Sequence, residues 1–134
     1  MSRTLLLDTH VLLWWLSDRE RLSRAQARVL AKVAPDAPAG VASISLWEVA
    51  TLHARGRVGL DLPLRDWLEK AVAPPLVRVL PLTPAVAAET AALPWSAPRD
   101  PADRILIATA RVHGLTLLTS DSAILDARLV PMVG

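Results

Sequence analysis

Four carboxylates fall at positions where they could do chemistry together. Asp8 closes the apolar run "TLLL", Glu48 ends "SLWE", Asp103 sits in "RDPAD", and Asp121 follows "LTLLTS". Each marks a place where an apolar stretch gives way to a helical pattern, or lies within a turn or so of one. Carboxylates about 5 Å apart repel by roughly 3 kcal/mol per pair at an effective dielectric near 20. A fold that collects them therefore calls for a cation. Mg²⁺ or Mn²⁺ takes oxygen ligands and keeps waters and substrate phosphates in its shell. Such an ion lowers the pKa of a coordinated water and stabilises the leaving oxygen of a phosphodiester. Asp8, Glu48, Asp103 and Asp121 are accordingly the candidate metal-binding and catalytic residues.

Helix capping offers a simpler account of each acid taken alone. Ser45 and Glu48 match a capping box. In "DPAD", Asp100 suits the N-cap, Pro101 the first helical position, and Asp103 the positive end of the helix dipole. Asp8 and Asp121 could likewise cap the helices that follow them. Capping does not explain why four such junctions should meet, and whether they meet depends on the elements that carry them.

Those elements alternate. Thr4 to Leu7 reads as a short buried strand and "HVLLWWL" as a helix, and Ser23 caps a helix running to Val33. After "PDAPAG" come a strand at Val41 and Ala42 and a helix from Ser45 to Arg55. The glycine-punctuated loop "RGRVGLDLP" leads to a helix from Leu64 to Val72. Val77 to Leu80 is a strand, Pro84 to Leu93 a helix, Ala102 to His113 a helix stopped by Gly114, and Thr116 to Thr119 a strand followed by a further helical pattern. Strands that are apolar throughout, alternating with helices, predict an α/β fold with a parallel sheet covered on both faces. Such sheets bind ligands beyond the carboxyl ends of their strands, where these acids would lie.

A chain of 134 residues, 52% hydrophobic and 21% charged, is expected to form one soluble domain spanning 1–134. Its apolar stretches are too short and too interrupted to cross a membrane. Asp8 and His10 interrupt the N-terminal apolar segment, and no small-residue cleavage site follows it, which argues against a secretory signal. With no cysteine there is no disulfide framework or thiolate metal site, so a cytoplasmic location is expected. Other chemistries lack their residues: there is no G-x-x-x-x-G-K-[ST], G-x-G-x-x-G, G-x-S-x-G or H-E-x-x-H. His10, His53 and His113 are not at ligand spacing.

Taken in order, "LLLDTHVLLWWL", "SISLWEVATLHARGRVGL", "RDPADRILIATA" and "LTLLTSD" resemble the motifs of PIN-domain proteins, and specifically those of VapC toxins of bacterial toxin-antitoxin systems. The likeness spans nearly the whole chain. It implies a three-layer α/β/α fold with a mostly parallel sheet of about five strands, and Mg²⁺- or Mn²⁺-dependent endoribonuclease activity. It also implies a VapB-like antitoxin as partner and a homodimer. By the same resemblance Asp8, Glu48 and Asp103 are the core metal-binding acids and Asp121 the fourth, with Thr9 and Ser120 as supporting hydroxyls. Many relatives have histidine before "RDP" and phenylalanine after it, where this chain has Pro98 and Ala102. A housekeeping RNA-processing or DNA nuclease, and a catalytically silent binding protein, are the competing readings.

Thirteen arginines stand against two lysines, and arginine suits bidentate phosphate contact. Arg55, Arg57, Arg99, Arg104 and Arg111 are the candidate RNA contacts, with salt bridging to Asp103 the alternative for Arg104. The five tryptophans, in a chain without Phe or Tyr, are read as core residues, Trp95 least securely because its loop is polar.

Overall fold

The computed structural model describes residues 4–134. Strand β1 (Leu5–Leu7) leads into helix α1 (Thr9–Ser17) and then α2 (Arg24–Leu30). Strand β2 (Ala39–Ala42) runs directly into α3 (Ser43–Ala54), followed by α4 (Leu64–Ala71), β3 (Val77–Leu80) and α5 (Pro84–Ala92). Helix α6 (Pro101–His113), β4 (Thr116–Leu118), α7 (Ser122–Ala127) and β5 (Met132–Val133) complete the chain. No described helix is long and apolar enough to cross a membrane.

The five strands form one sheet in the order β3-β2-β1-β4-β5, and every neighbouring pair is parallel. Alternation along each strand divides the core in two. Leu7, Val41 and Leu118 face a cluster with Val11, Leu12, Trp15, Val49 and Trp67 from α1, α3 and α4. Leu6, Ala42 and Leu117 face the opposite cluster, with Leu106, Ile107 and Ala110 of α6 and Ile124 of α7. Helices thus cover both faces, giving the three layers that the apolar strands predict. The exception is β3, where Arg78 is exposed, as an edge strand allows.

Helix ends follow local chemistry. Ser23 and Gln26 form a reciprocal capping box at α2, Thr83 caps α5 ahead of Pro84, and Gly114 ends α6 at φ 65° in the left-handed region that glycine enters without a Cβ clash. The expected capping box at Ser45 is absent. Helix α3 begins at Ser43 because β2 passes straight into it, with Ala42 in the N-cap position and no side chain capping there. Ser45 is thereby drawn inside the first turn, where its buried hydroxyl has no hydrogen-bond partner. Glu48, one turn further on, is free for another role. Strand β5 follows Pro131 and is two residues long, too short to leave a periodicity.

Candidate active site

The chain builds the sheet outward from β1 through β2 to β3, then returns to add β4 on the other side of β1. The strand order reverses between β1 and β4, which leaves a crevice above their carboxyl ends. Asp8 is the first residue after β1, and its N–H donates to the Leu118 carbonyl at the end of β4, 3.0 Å away. Asp121 lies three residues beyond β4. A cavity of about 330 Å³ opens here, and Asp8, Glu48, Asp103, Asp121 and Ser120 all line it.

Asp8 both caps and converges. Its Oδ1 accepts the N–H of Val11 at 2.8 Å, making it the N-cap of α1, while Oδ2 accepts the Thr119 hydroxyl at 2.5 Å. Asp121 caps α7 by accepting the N–H of Ile124 at 3.0 Å, and Asp100 caps α6 by accepting the N–H of Asp103 at 3.1 Å. All three capping acids also face the cavity. Glu48 is held differently: its Oε1 accepts the Thr9 hydroxyl at 2.6 Å, which joins α3 to the first turn of α1. Ser120 accepts a hydrogen bond from the buried Gln26 amide at 3.1 Å.

The electrostatics record the crowding. Burial above all pushes the Asp8 carboxyl above the ordinary range; hydrogen bonds from Thr119 and Val11 oppose the rise, and the Asp121 charge adds to it. Glu48 is also pushed up, chiefly by burial and then by Asp100 and Asp8, against the Thr9 hydrogen bond. Asp103 is pushed up to about 7 by burial, with Asp100, Asp121, Glu48 and Asp8 each adding repulsion. Each of these acids senses others of the set, so the site is short of positive charge.

Among the described residues, no three acidic or histidine side chains are gathered into a ready-made cage for an ion. The donors that line the cavity are mostly carboxylate and hydroxyl oxygens, the set that a hard cation such as Mg²⁺ takes, with waters and substrate phosphates completing its shell.

Four residues of the site have roles that the sequence does not show, three that line the cavity and one, Thr119, that lies behind it. Thr119 is fully buried and links Asp8 to the backbone N–H of Asp121, which donates to its Oγ1 at 3.1 Å. A hydroxyl two residues before a carboxylate is a recognisable turn signature, but a threonine ending an apolar run reads first as strand. Asp100 is a wall of the cavity as well as a cap, and His10 and Trp14 line it from α1.

The arginines divide. Arg104 turns from the cavity and donates to the carbonyls of Thr90 at 2.8 Å and Pro98 at 3.3 Å, so it pins the loop before α6 and forms no salt bridge with Asp103. Arg111 donates to the Leu129 carbonyl at 3.1 Å and faces Glu89 at 3.8 Å. Arg55, Arg57 and Arg99 are exposed, and none of the five arginines lines the cavity. Trp15 and Trp67 are core residues and Trp14 is half-buried, but Trp47 and Trp95 are exposed. The expectation of an all-core set fails for these two because one lies on the outer side of α3 and the other in the loop after α5.

An α/β/α sandwich with an acidic crevice at the switch point defines a class, and the chain belongs to the PIN-domain family, whose model matches residues 5–128. It is 42% identical over 118 residues to Ribonuclease VapC22 of Mycobacterium tuberculosis (strain ATCC 25618 / H37Rv), covering 88% of this chain and 87% of that protein. The fold is similar to a crystal structure of FitAcB from Neisseria gonorrhoeae, at TM-score 0.67 and 25% identity over 98% of this chain and 97% of that one. It also resembles VapBC2 from Rickettsia felis bound to a DNA fragment from their promoter, at TM-score 0.71, 11% identity and 97% coverage of both chains.

Proposed function

We propose that this protein is a divalent-metal-dependent endoribonuclease, the toxin of a toxin-antitoxin pair, that hydrolyses phosphodiester bonds of RNA. The carrying observation is the convergence of Asp8, Glu48, Asp103 and Asp121 on one cavity at the β1/β4 switch point. The 42% identity to a VapC ribonuclease supports RNA as substrate. A VapB-like antitoxin is the partner that matches a VapC-like chain, and a homodimer is the expected assembly.

In this reading Asp8, Glu48 and Asp103, which line one cavity, would draw together on Mg²⁺ or Mn²⁺ as it binds, with Asp121 as a fourth acid. When bound, the ion supplies positive charge at the scissile phosphate and lowers the pKa of an attacking water. The protein's part is orientation. The Thr119 and Thr9 hydroxyls fix one oxygen each of Asp8 and Glu48, leaving lone pairs directed elsewhere for a cation. The first turn of α1 adds the partial positive charge of a helix N-terminus beside the bound phosphate. Ion and proton compete for the Asp103 carboxylate, whose pKa of about 7 places that competition near neutrality.

The test is incubation of purified protein with single-stranded RNA in Mg²⁺ or Mn²⁺ and in EDTA, alongside expression in a bacterial host with and without the adjacent short reading frame. Metal-dependent cleavage, with growth arrest relieved by the co-expressed partner, is expected. Intact RNA under all metal conditions would overturn the nuclease reading, and arrest that no copurifying partner relieves would overturn the toxin assignment.

A further inference from the structure

The cavity is not acidic all round. On the side of α1, His10 and Trp14 form part of its wall, one helical turn apart, with ring centroids 6.0 Å from each other and planes tilted by 49°. Trp14 is half-buried and packs against the core cluster under α1, so its indole is held firmly. His10 is exposed and lines the cavity. Leu106 and Ile124 add apolar surface to the same cavity. A substrate phosphate held by a cation on the acids would therefore have two aromatic rings within a residue's reach on the other side.

We propose that His10 and Trp14 form a stacking wall that receives one nucleobase beside the phosphate presented to Asp8, Glu48 and Asp103. The inference rests on the ribonuclease reading above and adds to it the residues that position the substrate. A cavity of about 330 Å³ lies at the small end of ligand pockets and admits a single unstacked nucleotide, not a duplex. Base–aromatic stacking tolerates every base because each has a π-face, so the wall selects single-stranded RNA without choosing a sequence. Trp47 and Trp95, though exposed, do not line the cavity and take no part in it.

The experiment compares cleavage of a single-stranded RNA with that of the same RNA made abasic at each nucleotide flanking the scissile bond in turn. Stacking worth about 1–3 kcal/mol per base corresponds to about 5- to 150-fold at 1.4 kcal/mol per tenfold. The wild-type protein is expected to lose that factor in kcat/KM at one of the two positions. His10→Ala and Trp14→Leu should lose a comparable factor on intact RNA and then show little further loss on the abasic one, whereas His10→Phe should keep the wild-type pattern. The Mg²⁺-induced rise in Tm should be unchanged in His10→Ala, which places the effect on the substrate and not on the metal. An abasic penalty that is absent in wild type, or undiminished in both variants, overturns this proposal while leaving the nuclease reading intact. A wild-type protein that cleaves no RNA overturns both.

Discussion

The Thr119 hydroxyl donates to Asp8 Oδ2 at 2.5 Å across 111 residues of sequence, and its Oγ1 accepts the N–H of Asp121 at 3.1 Å. One buried side chain thus couples the acid that ends β1 to the acid that follows β4. Thr119→Val keeps the shape and removes the donor, leaving a buried carboxylate oxygen and a backbone N–H without a partner. The expected cost is about 1–3 kcal/mol, measured by chemical denaturation. Loss of the hydrogen bond also lifts the Asp8 pKa further, so the rising limb of the pH–cleavage profile should move to higher pH. Thr119→Ser should restore both properties.

Raised carboxylates make stability fall with pH. Asp103 is pushed up to about 7 in the folded protein, well above the ordinary value near 3.9 in the unfolded chain. The folded state therefore holds the extra proton between those values, and the stability linked to it is complete below about pH 4 and lost as pH rises through about 7. Partial exposure screens the repulsion, so the loss from this group should be about 1–2 kcal/mol. Melting in EDTA from pH 5 to pH 8 should show the decline, and Asp103→Asn should flatten it. With Mg²⁺ the trend opposes itself, because deprotonation favours the ion: the metal-induced rise in Tm should grow over the same range.

How much of this was legible in the sequence depends on how local each cause is. Asp8 and Asp121 could be found because an apolar strand that stops on an acid is visible in a few residues. Val77–Leu80 and the Gly114 stop of α6 were equally plain. Glu48 was visible as an acid with two readings, metal ligand or capping partner of Ser45; the second fails because α3 starts at Ser43 and Glu48 bonds Thr9 from another helix. Thr119, Asp100 as a cavity wall, and the outward turn of Arg104 depend on which strand neighbours which, an order that no local pattern encodes. Strand β5 exists because β4 offers it an edge.

Arg104 should behave as a structural residue. Arg104→Ala removes two charge-assisted hydrogen bonds to the Thr90 and Pro98 carbonyls, with an expected loss of about 1–3 kcal/mol. RNA affinity of the folded fraction should keep its salt dependence. A salt slope reduced by about one unit would instead mean that Arg104 meets a phosphate.

Arg55 and Arg57 should show the reverse pattern. Both are exposed at the end of α3, so Arg55→Glu and Arg57→Glu should leave Tm within a degree or two. Each lost phosphate contact should reduce the slope of log Kd against log salt by roughly one unit. Unchanged slopes in both variants would remove that loop from the RNA-binding surface.

The central claim is that the acids at the switch point exist to hold a cation against RNA, beyond their service as caps. Asparagine caps helices about as well as aspartate, so Asp8→Asn separates the two roles: the N–H of Val11 keeps its acceptor while the site loses a negative ligand. The direct measurement is RNA cleavage in Mg²⁺ or Mn²⁺ by Asp8→Asn, paired with its melting curve in EDTA and in metal. A protein that stays folded in EDTA, relief of carboxylate repulsion offsetting part of the lost hydrogen bond from Thr119, gains little from metal and cleaves at least a hundredfold more slowly is the predicted result. Cleavage at the wild-type rate by a folded Asp8→Asn protein would contradict it.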